Sequence, residues 1–357
     1  MTISTTPEST RFLSYGKALY EAAQQEMTRD PTVFIYGQGV DDHLGMYGTT
    51  LDLHKSFGAE RCFDVPLSED AMSGIGIGAA LGGLRPINVH QRMDFLLLCV
   101  NQLLNIAAKN SYTYAGAMGV PLVIRGIIGR SWGQGSQHSQ ALHSMFMHVP
   151  GIKVIAPTTP YDAKGALIAA IRDPNPVLIV EHRMLYNNTG HVPEELYALP
   201  FGQARVLGEG ADVTIVAISH MVIEALRART HLLDKGVNAE VIDPVSLVPL
   251  DMETIATSVE KTGKLLVVDN GWVQCGAGAE IVAQTMERLQ GRREIKVARM
   301  GFAPIPCPTT KPLENLFYPN GRTIASKAFD LVQGSPSGWT PPEGEEAREI
   351  KEFKGPF

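Results

Sequence analysis

The sequence of 357 residues lacks several features that mark particular classes of protein. It has no apolar run of the roughly eighteen residues that a membrane-spanning helix needs, so we expect no membrane partner. It also has no cluster of lysine and arginine, and its net charge is -6. This charge argues against nucleic acid or an anionic lipid surface as a partner.

Cysteine is scarce and widely spaced. The four cysteines, Cys62, Cys99, Cys275 and Cys307, include no C-x-x-C pair, which argues against a zinc site and a disulfide framework. We expect buried free thiols in a reducing cytoplasm. The first residues also lack the charged-then-apolar pattern of a secretory signal, so the sequence predicts a cytoplasmic protein.

Short apolar, strand-like runs alternate with helix-like segments through most of the chain, and this pattern is lost between 187 and 203. A chain of this length also favours two cores over one. The alternation predicts an α/β protein with two three-layer α/β/α domains. We place the domains at residues 1–190 and 204–331, with a linker at 191–203 and an extended or disordered tail at 332–357. The stretch from Met93 to Gly116 predicts one helix that is apolar on more than one face and is buried between layers or between subunits.

A glycine-rich stretch suggests a dinucleotide site at first sight. Gly74, Gly76 and Gly78 match part of the fingerprint G-x-G-x-x-G/A, and Asp94 follows twenty residues after Gly74. The fingerprint needs its first glycine directly after a strand, whereas here the strand ends near Pro66 and Ser68 is a helix-capping residue. We therefore expect Gly74, Gly78 and Gly82 to lie on one face of a helix and to permit close packing, and we expect no strand before Asp94.

Glu69 stands in the first turn of that predicted helix. A glutamate there usually only complements the helix dipole. Its neighbours in the sequence give it a second interpretation, because they form a series of motifs that continues over some 300 residues.

These motifs resemble the beta subunit of two-subunit, thiamine-diphosphate-dependent 2-oxoacid dehydrogenases, within the transketolase-like superfamily. The resemblance runs from about residue 14 to 331. The stretches that carry it are FGAERCFDVPLSE, GIGIGAALGGLRPI, MDF with NQLLNIAAK, GQGSQHSQ, PGIKVIAPTTPYDAKGALIAAIRDPNPVLIVEH, SLVPLD, VVDNGW and GAGAEI. It implies a transketolase-type pyrimidine-binding domain followed by a transketolase C-terminal domain.

The resemblance assigns chemistry to three residues. Glu69 would hydrogen-bond the aminopyrimidine ring of thiamine diphosphate and favour the tautomer that deprotonates the neighbouring thiazolium carbon. Phe95 would stack on the same ring. His138 would donate a proton to, or orient, the bound substrate. We expect Glu69 to be partly desolvated, since the role needs a carboxyl that can share a proton near neutral pH.

The resemblance also implies a structural monovalent cation, usually potassium. The positions that carry over are Leu122, Ala170, Ile171, Asp173 and Asn175. Oxygen ligands suit such a cation, although a plain helix C-terminus and turn would give the same residues.

One motif of thiamine-diphosphate enzymes is absent. The sequence contains no G-D-G, the start of the segment that binds Mg²⁺ and the diphosphate, and Asn187-Asn188 stands without it. The resemblance therefore implies that an alpha subunit supplies this half of the site, that the chain is inert alone, and that it forms an α2β2 heterotetramer.

The sequence departs from the family's pattern beside Phe95. His90, Gln91 and Arg92 occupy positions where small or apolar residues are usual, and Gln38 replaces a more usual glutamate. We expect Gln91 beside the cofactor and His90 and Arg92 in the substrate pocket. Such a lining would favour a hydroxylated, phosphorylated or acidic substrate; contacts to a partner subunit are the other explanation.

The first functional hypothesis is therefore an acetyl-transferring type of 2-oxoacid dehydrogenase that passes its acyl group to a lipoyl-bearing acyltransferase. The second is a split transketolase or acyloin-forming ligase, which transfers the intermediate to an aldehyde. A non-catalytic scaffold is a third, and the presence of Glu69, Phe95 and His138 argues against it. Nicotinamide binding is the fourth.

Overall fold

The computed structural model describes residues 11–130 and 133–343, and helices and strands alternate through both parts. In chain order the strands are β1 (Phe12–Ser14), β2 (Val33–Gly37), β3 (Cys62–Asp64), β4 (Arg85–His90), β5 (Val123–Ile128), β6 (Lys153–Ile155), β7 (Val177–His182), β8 (Thr189–His191), β9 (Arg205–Gly208), β10 (Val213–Ala217), β11 (Ala239–Asp243), β12 (Ser246–Val248), β13 (Lys264–Trp272) and β14 (Lys296–Phe302).

The α-helices lie between them: α1 (Tyr15–Arg29), α2 (Leu53–Phe57), α3 (Glu69–Leu81), α4 (Ala108–Thr113), α5 (His143–Met147), α6 (Pro160–Arg172), α7 (Met221–Leu233), α8 (Met252–Thr262), α9 (Ala277–Leu289), α10 (Lys311–Phe317) and α11 (Gly321–Gln333). Short helical turns of other types run over Met93–Cys99, Asn101–Ala107 and Arg183–Leu185.

Two sheets dominate the described residues. The first has the strand order β12-β6-β7-β5-β4-β2-β3 and is parallel except for β12, which pairs antiparallel with β6. The second has the order β14-β13-β10-β11-β9, with β9 antiparallel. Helices pack on both faces of each sheet, which confirms the predicted three-layer α/β architecture.

Three apolar clusters define the layers. One packs α1 and α6 against the first sheet, and another packs α7 and α11 against the second. The third joins α3 and the segment after it with α8 and α9, so it contains side chains of both halves of the chain. The two sheets therefore share a continuous core.

The structure corrects the prediction for the segment after β4. Met93–Cys99 is a 3₁₀ helix, Asn101–Ala107 is a π-helix and Ala108–Thr113 is α-helical, so the predicted single helix is three shorter pieces. Within the single chain the segment is only partly buried, since Leu98 is 60% exposed and Tyr112 is 92% exposed; burial between subunits stays a prediction. Phe95, in the first piece, is half-buried.

The structure adds detail at the predicted domain boundaries. Thr189–His191 is not structureless, because it pairs with β1. Strand β12 comes from the second half of the chain but lies at the edge of the first sheet, so the two sheets do not divide at the predicted linker. Helix α11 continues to Gln333, and residues 334–343 form no helix or strand. Residues 344–357 of the predicted tail lie outside the described residues.

The glycine-rich stretch forms part of helix α3. Gly74, Gly76 and Gly78 lie in its interior, which excludes the dinucleotide turn. A Cβ at Gly76 would stand 1.9 Å from the hydroxyl of Tyr36, so Gly76 permits the close contact. A Cβ at Gly74 would stand 3.7 Å from Gln102 Cγ, an ordinary contact, and one at Gly78 would meet nothing within 4 Å. Within the described residues Gly76, and not Gly74 or Gly78, is therefore the glycine that close packing requires.

Candidate active site

Polar side chains collect where five neighbouring parallel strands end. Gln38 follows β2, Glu69 begins the helix after β3, Gln91 and Arg92 follow β4, Arg130 follows β5 and Arg183 follows β7. Strand β4 precedes Asp94 directly, contrary to the sequence-based expectation. Ligands of open parallel sheets bind outside these carboxyl ends. The row of carboxyl-terminal strand ends, called the sheet edge below, is therefore the candidate site.

Asp64, the last residue of β3, fixes the loop that carries Gln38. Its carboxylate accepts hydrogen bonds from the backbone N–H groups of Gly39 (3.0 Å), Val40 (2.5 Å) and Asp41 (3.3 Å). Backbone donors of a sharp turn are thereby satisfied by one side chain. Gln38 is consequently held over the start of α3.

Glu69 lies half-buried at the first position of α3, and Ser68 makes no side-chain cap bond there, in contrast to the prediction. Gln38 Nε2 donates to Glu69 Oε1 at 3.2 Å. Gln91 Nε2 in turn donates to the backbone oxygen of Gln38 at 3.3 Å. This chain of amides joins the ends of three strands and orients the carboxyl group through a neutral donor.

Phe95 and His138 lie side by side. Their rings are 5.5 Å apart and perpendicular, and both side chains are half-buried. Asp94 holds the histidine loop, because its Oδ1 accepts from the backbone N–H and the side-chain amide of Gln140 at 3.2 and 2.9 Å. Asp94 therefore acts as a loop anchor, and burial raises its pKa.

His90 is the last residue of β4 and is 5% exposed. Burial lowers its pKa to about 4, and the charge of Glu69 acts in the opposite direction. Its Nε2 has no hydrogen-bond partner among the described residues. His90 is consequently a neutral side chain at neutral pH, near the carboxyl group of Glu69.

Arg92 and Arg183 meet at the next part of the edge. Arg92 Nη1 donates to the hydroxyl of Tyr47 (2.8 Å) and to the backbone oxygen of Gln91 (2.7 Å). Arg183 donates to the side-chain oxygen of Gln134, in the histidine loop. Burial, followed by the charge of Arg92, lowers the pKa of Arg183 to about 10.

Four residues at these strand ends were not predicted from the sequence: Arg183, Arg130, Tyr47 and Gln134. One signal was available: Arg183 and Arg130 come directly after apolar strand-like runs, where parallel strands present their carboxyl ends.

The five positions predicted for a monovalent cation are close in the fold, and several of their oxygen atoms have partners. The backbone oxygen of Leu122 accepts from Val177, that of Ala170 accepts from Asp173, and that of Ile171 accepts from Arg85 Nη1 at 2.7 Å. The carboxylate of Asp173 binds Lys153 and the backbone N–H of Asn175. Potassium at Leu122, Ala170, Ile171, Asp173 and Asn175 stays a prediction.

Other histidines and cysteines were not assigned a catalytic role, and of these His182 ends β7 beside Arg183 and stacks on His220 with the ring centres 4.6 Å apart. His143 is buried and pairs with Asp269 of the second sheet at 3.0 Å, while His148 is exposed. Cys62, Cys99 and Cys307 are buried, as predicted, whereas Cys275 is exposed. Over residues 11–130 and 133–343, no group of three or more His, Cys, Asp or Glu side chains is arranged to hold a metal ion.

None of the helices in the described part of the chain is long and apolar enough to span a membrane.

Comparisons with known proteins match both halves of the chain. A family model described as the transketolase pyrimidine-binding domain matches residues 12–189, and one described as the transketolase C-terminal domain matches residues 202–324.

Similar full-length proteins are beta subunits. The chain is 41% identical over 334 residues to the acetoin:2,6-dichlorophenolindophenol oxidoreductase subunit beta of Cupriavidus necator, which covers 91% of this chain and 98% of that protein. It is 42% identical over 318 residues to the pyruvate dehydrogenase E1 component subunit beta of Porphyra purpurea, covering 89% and 96%. The mitochondrial subunit beta-1 of Arabidopsis thaliana is 41% identical over 306 residues, covering 85% and 84%.

Among solved structures, a split gene transketolase described as an inactive beta4 tetramer aligns with a TM-score of 0.74. The alignment covers 90% of this chain and 99% of that chain at 22% identity. At this identity the likeness concerns the fold alone.

Proposed function

Because this chain belongs to the family of thiamine-diphosphate-dependent 2-oxoacid dehydrogenase beta subunits, with its transketolase-type domains, we propose that it decarboxylates a 2-oxoacid together with an alpha subunit and passes the acyl group to a lipoyl carrier. The observation that carries this proposal is the joint position of Glu69, Phe95 and His138 at one sheet edge.

The residues at this edge suit the pyrimidine half of the cofactor. Thiamine diphosphate, when bound, supplies the carbon nucleophile and the electron sink. The amide of Gln38 contacts only Oε1 of Glu69, so Oε2 would be left to bind a ring nitrogen of the cofactor. The half-buried ring of Phe95 offers a flat apolar surface for stacking.

His138 stands edge-on to Phe95 and would serve the substrate side of the same ring. Its loop is tied down at Gln140 by Asp94 and at Gln134 by Arg183. A general acid must reach the reacting oxygen within hydrogen-bond distance, and a loop held at two points keeps the imidazole in place. His138 is thus the proposed proton donor.

The diphosphate and Mg²⁺ would come from the alpha subunit in an α2β2 assembly, since the chain has no G-D-G segment. The exposed apolar surface supports such a partner. Leu67 is 79% exposed, and Ile75 on α3 and Leu98 on the next segment are each 60% exposed. Patches of this kind on soluble proteins mark protein interfaces.

A split transketolase or acyloin-forming ligase is the second candidate. The cationic residues Arg92 and Arg183 at the edge favour it, because phosphorylated aldehydes and ketoses carry the charge that guanidinium groups bind.

The two candidates separate in one experiment. The chain is purified with its alpha subunit and given thiamine diphosphate, Mg²⁺ and a panel of 2-oxoacids. Reduction of an artificial electron acceptor supports the dehydrogenase. Carbon–carbon ligation to an added aldehyde without acceptor reduction would refute it and support the ligase.

Glu69→Gln tests the central residue. We expect kcat to fall by about 10²- to 10⁴-fold, the usual contribution of general acid–base catalysis, with the α2β2 complex intact by size-exclusion chromatography. Asp70→Asn is the matched control, since Asp70 is the next carboxylate of the same helical turn and is exposed. Near-full activity of Glu69→Gln would mean that the carboxyl group has another role.

A further inference from the structure

The two arginines at the sheet edge have buried donor groups without partners. Arg183 is 1% exposed, and its Nε and Nη2 bind no acceptor within the described residues. Arg92 is 9% exposed, and its Nε also binds no acceptor within the described residues. A buried donor that lacks an acceptor costs free energy, so these groups indicate a ligand.

The charged residues around these arginines also indicate a site for an anion. Arg92, Arg130 and Arg183 follow three adjacent strands, β4, β5 and β7. Glu314 is buried beside them and binds Arg130 at 3.2 Å, and Asn315 binds the same guanidinium at 2.6 Å. Arg92 and Arg183 are left with neutral acceptors, namely Tyr47, Gln134 and the backbone of Gln91. The charge of Glu314 acts on Arg183 from nearby, but neither Arg183 nor Arg92 is hydrogen-bonded to a carboxylate within the described residues. Two such guanidinium groups form a site for an anion.

The arginines are connected to the residues proposed for catalysis. The backbone oxygen of Arg92 accepts from the backbone N–H of Phe95 at 3.2 Å. Arg183 holds Gln134, four residues before His138 in the same loop. An anion between Arg92 and Arg183 would therefore lie next to the pocket for the transferred group.

From this arrangement we propose that the substrate carries a second anionic group, a carboxylate or a phosphate at the end away from the reacting carbonyl, and that Arg92 and Arg183 bind it. This inference rests on the proposed function, because it assigns the substrate class of the same site. A guanidinium fork matches both anions in geometry. A simple apolar 2-oxoacid would leave both arginines unpaired and is a poor substrate.

Matched substrate pairs test the proposal on the α2β2 holoenzyme. The carboxylate pair is 2-oxoglutarate and 2-oxopentanoate, and the phosphate pair is 3-phosphohydroxypyruvate and hydroxypyruvate. We expect the anionic member of one pair to have the higher kcat/KM, and the pair that responds identifies the anion. Equal or higher kcat/KM for the neutral member of both pairs would overturn the proposal.

Variants link the preference to the arginines. In Arg183→Gln and in Arg92→Gln the ratio of kcat/KM, anionic over neutral, should fall about 10- to 100-fold, mainly through KM, as expected for the loss of a charged hydrogen bond. Arg183→Lys should recover part of the ratio. Arg130→Lys is the control: it lies at the same edge but keeps a cation for Glu314, and its ratio should stay within about twofold. Ratios within twofold in all variants would assign the arginines to a carboxylate of the partner subunit and overturn the proposal.

A binding measurement makes the result independent of turnover. Glutarate and 3-phosphoglycerate, which lack the reacting carbonyl, are the probes. One of them should raise the melting temperature of the parent complex more than pentanoate or glycerate does, and Arg183→Gln should abolish the difference. No difference in the parent would overturn the proposal even if the enzyme is active. If the probe binds but no 2-oxoacid reduces the acceptor, the dehydrogenase hypothesis fails and the anion site stands.

Discussion

Two buried arginines of the first sheet, Arg125 and Arg183, differ in one respect, the presence of a carboxylate. Arg125 on β5 binds Glu181 of the adjacent strand β7 through two bonds of 2.5 and 2.9 Å, and Tyr186 donates to the same carboxylate at 2.8 Å. Arg183 follows Glu181 by two residues and has no such partner within the described residues. Burial is nearly complete for both.

The difference separates a structural role from a binding role. Guanidinium groups stay charged in proteins, so an unpaired one cannot escape its desolvation cost by losing a proton. Arg125 offsets that cost inside the chain, although its Nη1 lacks an acceptor. The desolvation cost of Arg183 is not offset within the described residues. Binding sites often have such uncompensated groups, which a bound ligand then pairs.

Removing the paired arginine should have the largest effect on stability. Arg125→Met leaves the carboxylate of Glu181 buried without its counter-ion, and we expect the free energy of unfolding to fall by about 3–5 kcal/mol. Urea denaturation measures it. The double variant Arg125→Met with Glu181→Leu should regain much of the loss, because no unpaired charge remains. A single variant as stable as the parent would contradict a structural role for the pair.

A buried carboxyl group without a counter-ion differs from an arginine, because it can avoid the cost of a buried charge by taking up a proton. Asp243 ends β11 in the second sheet, and burial raises its pKa to about 7. The folded chain therefore binds a proton that the unfolded chain has already lost between pH 4 and 7. The stability contributed by Asp243 is complete below its unfolded pKa of about 4 and is lost as the pH rises towards 7, with a slope of at most about 1.4 kcal/mol per pH unit.

Asp243→Asn should remove this slope. The measurement compares the free energy of unfolding of parent and variant from pH 4 to 8, and the variant should gain on the parent as the pH rises. Asp234→Asn is the control, since Asp234 is exposed. Parallel curves for parent and Asp243→Asn would show that Asp243 stays ionised in the folded protein.

The smallest expected effect has the opposite sign to the first. Arg183→Met removes an unpaired buried charge, so the free energy of unfolding should rise by about 1 kcal/mol, within the gains seen when buried ionic groups become apolar. The same urea experiment measures it, and Arg125→Met serves as the contrast. If Arg183→Met lost as much stability as Arg125→Met, both arginines would have a structural role and the contrast would be wrong.

Much of the fold follows from the sequence because the buried parallel strands are continuous apolar runs. VLIV before Glu181 and TIVA in β10 have no other stable place than a covered sheet. Glu69, Phe95 and His138 could be located through motifs, since each lies in a short stretch with family-like neighbours.

Contacts between distant segments could not be predicted in this way. Arg183 and Arg92 are about ninety residues apart in the sequence. The strand order β7-β5-β4 brings together the strand ends that they follow. The close contact at Gly76 depends on where Tyr36 points from β2, which no local pattern encodes. The three helix types after β4 and the short strand β12 arise from tertiary packing, which overrides local propensity.

Strand β12 has a consequence for the order in which the protein is made. The ribosome releases residues 12–191 before it releases Ser246–Val248, yet β6 is hydrogen-bonded to those three residues. The first sheet consequently waits with one open edge while about fifty further residues are synthesised, and open edges are where nascent chains pair wrongly. A chain cut at the linker would lack β12 at this edge, so the boundary visible in the sequence is not the boundary between the two sheets.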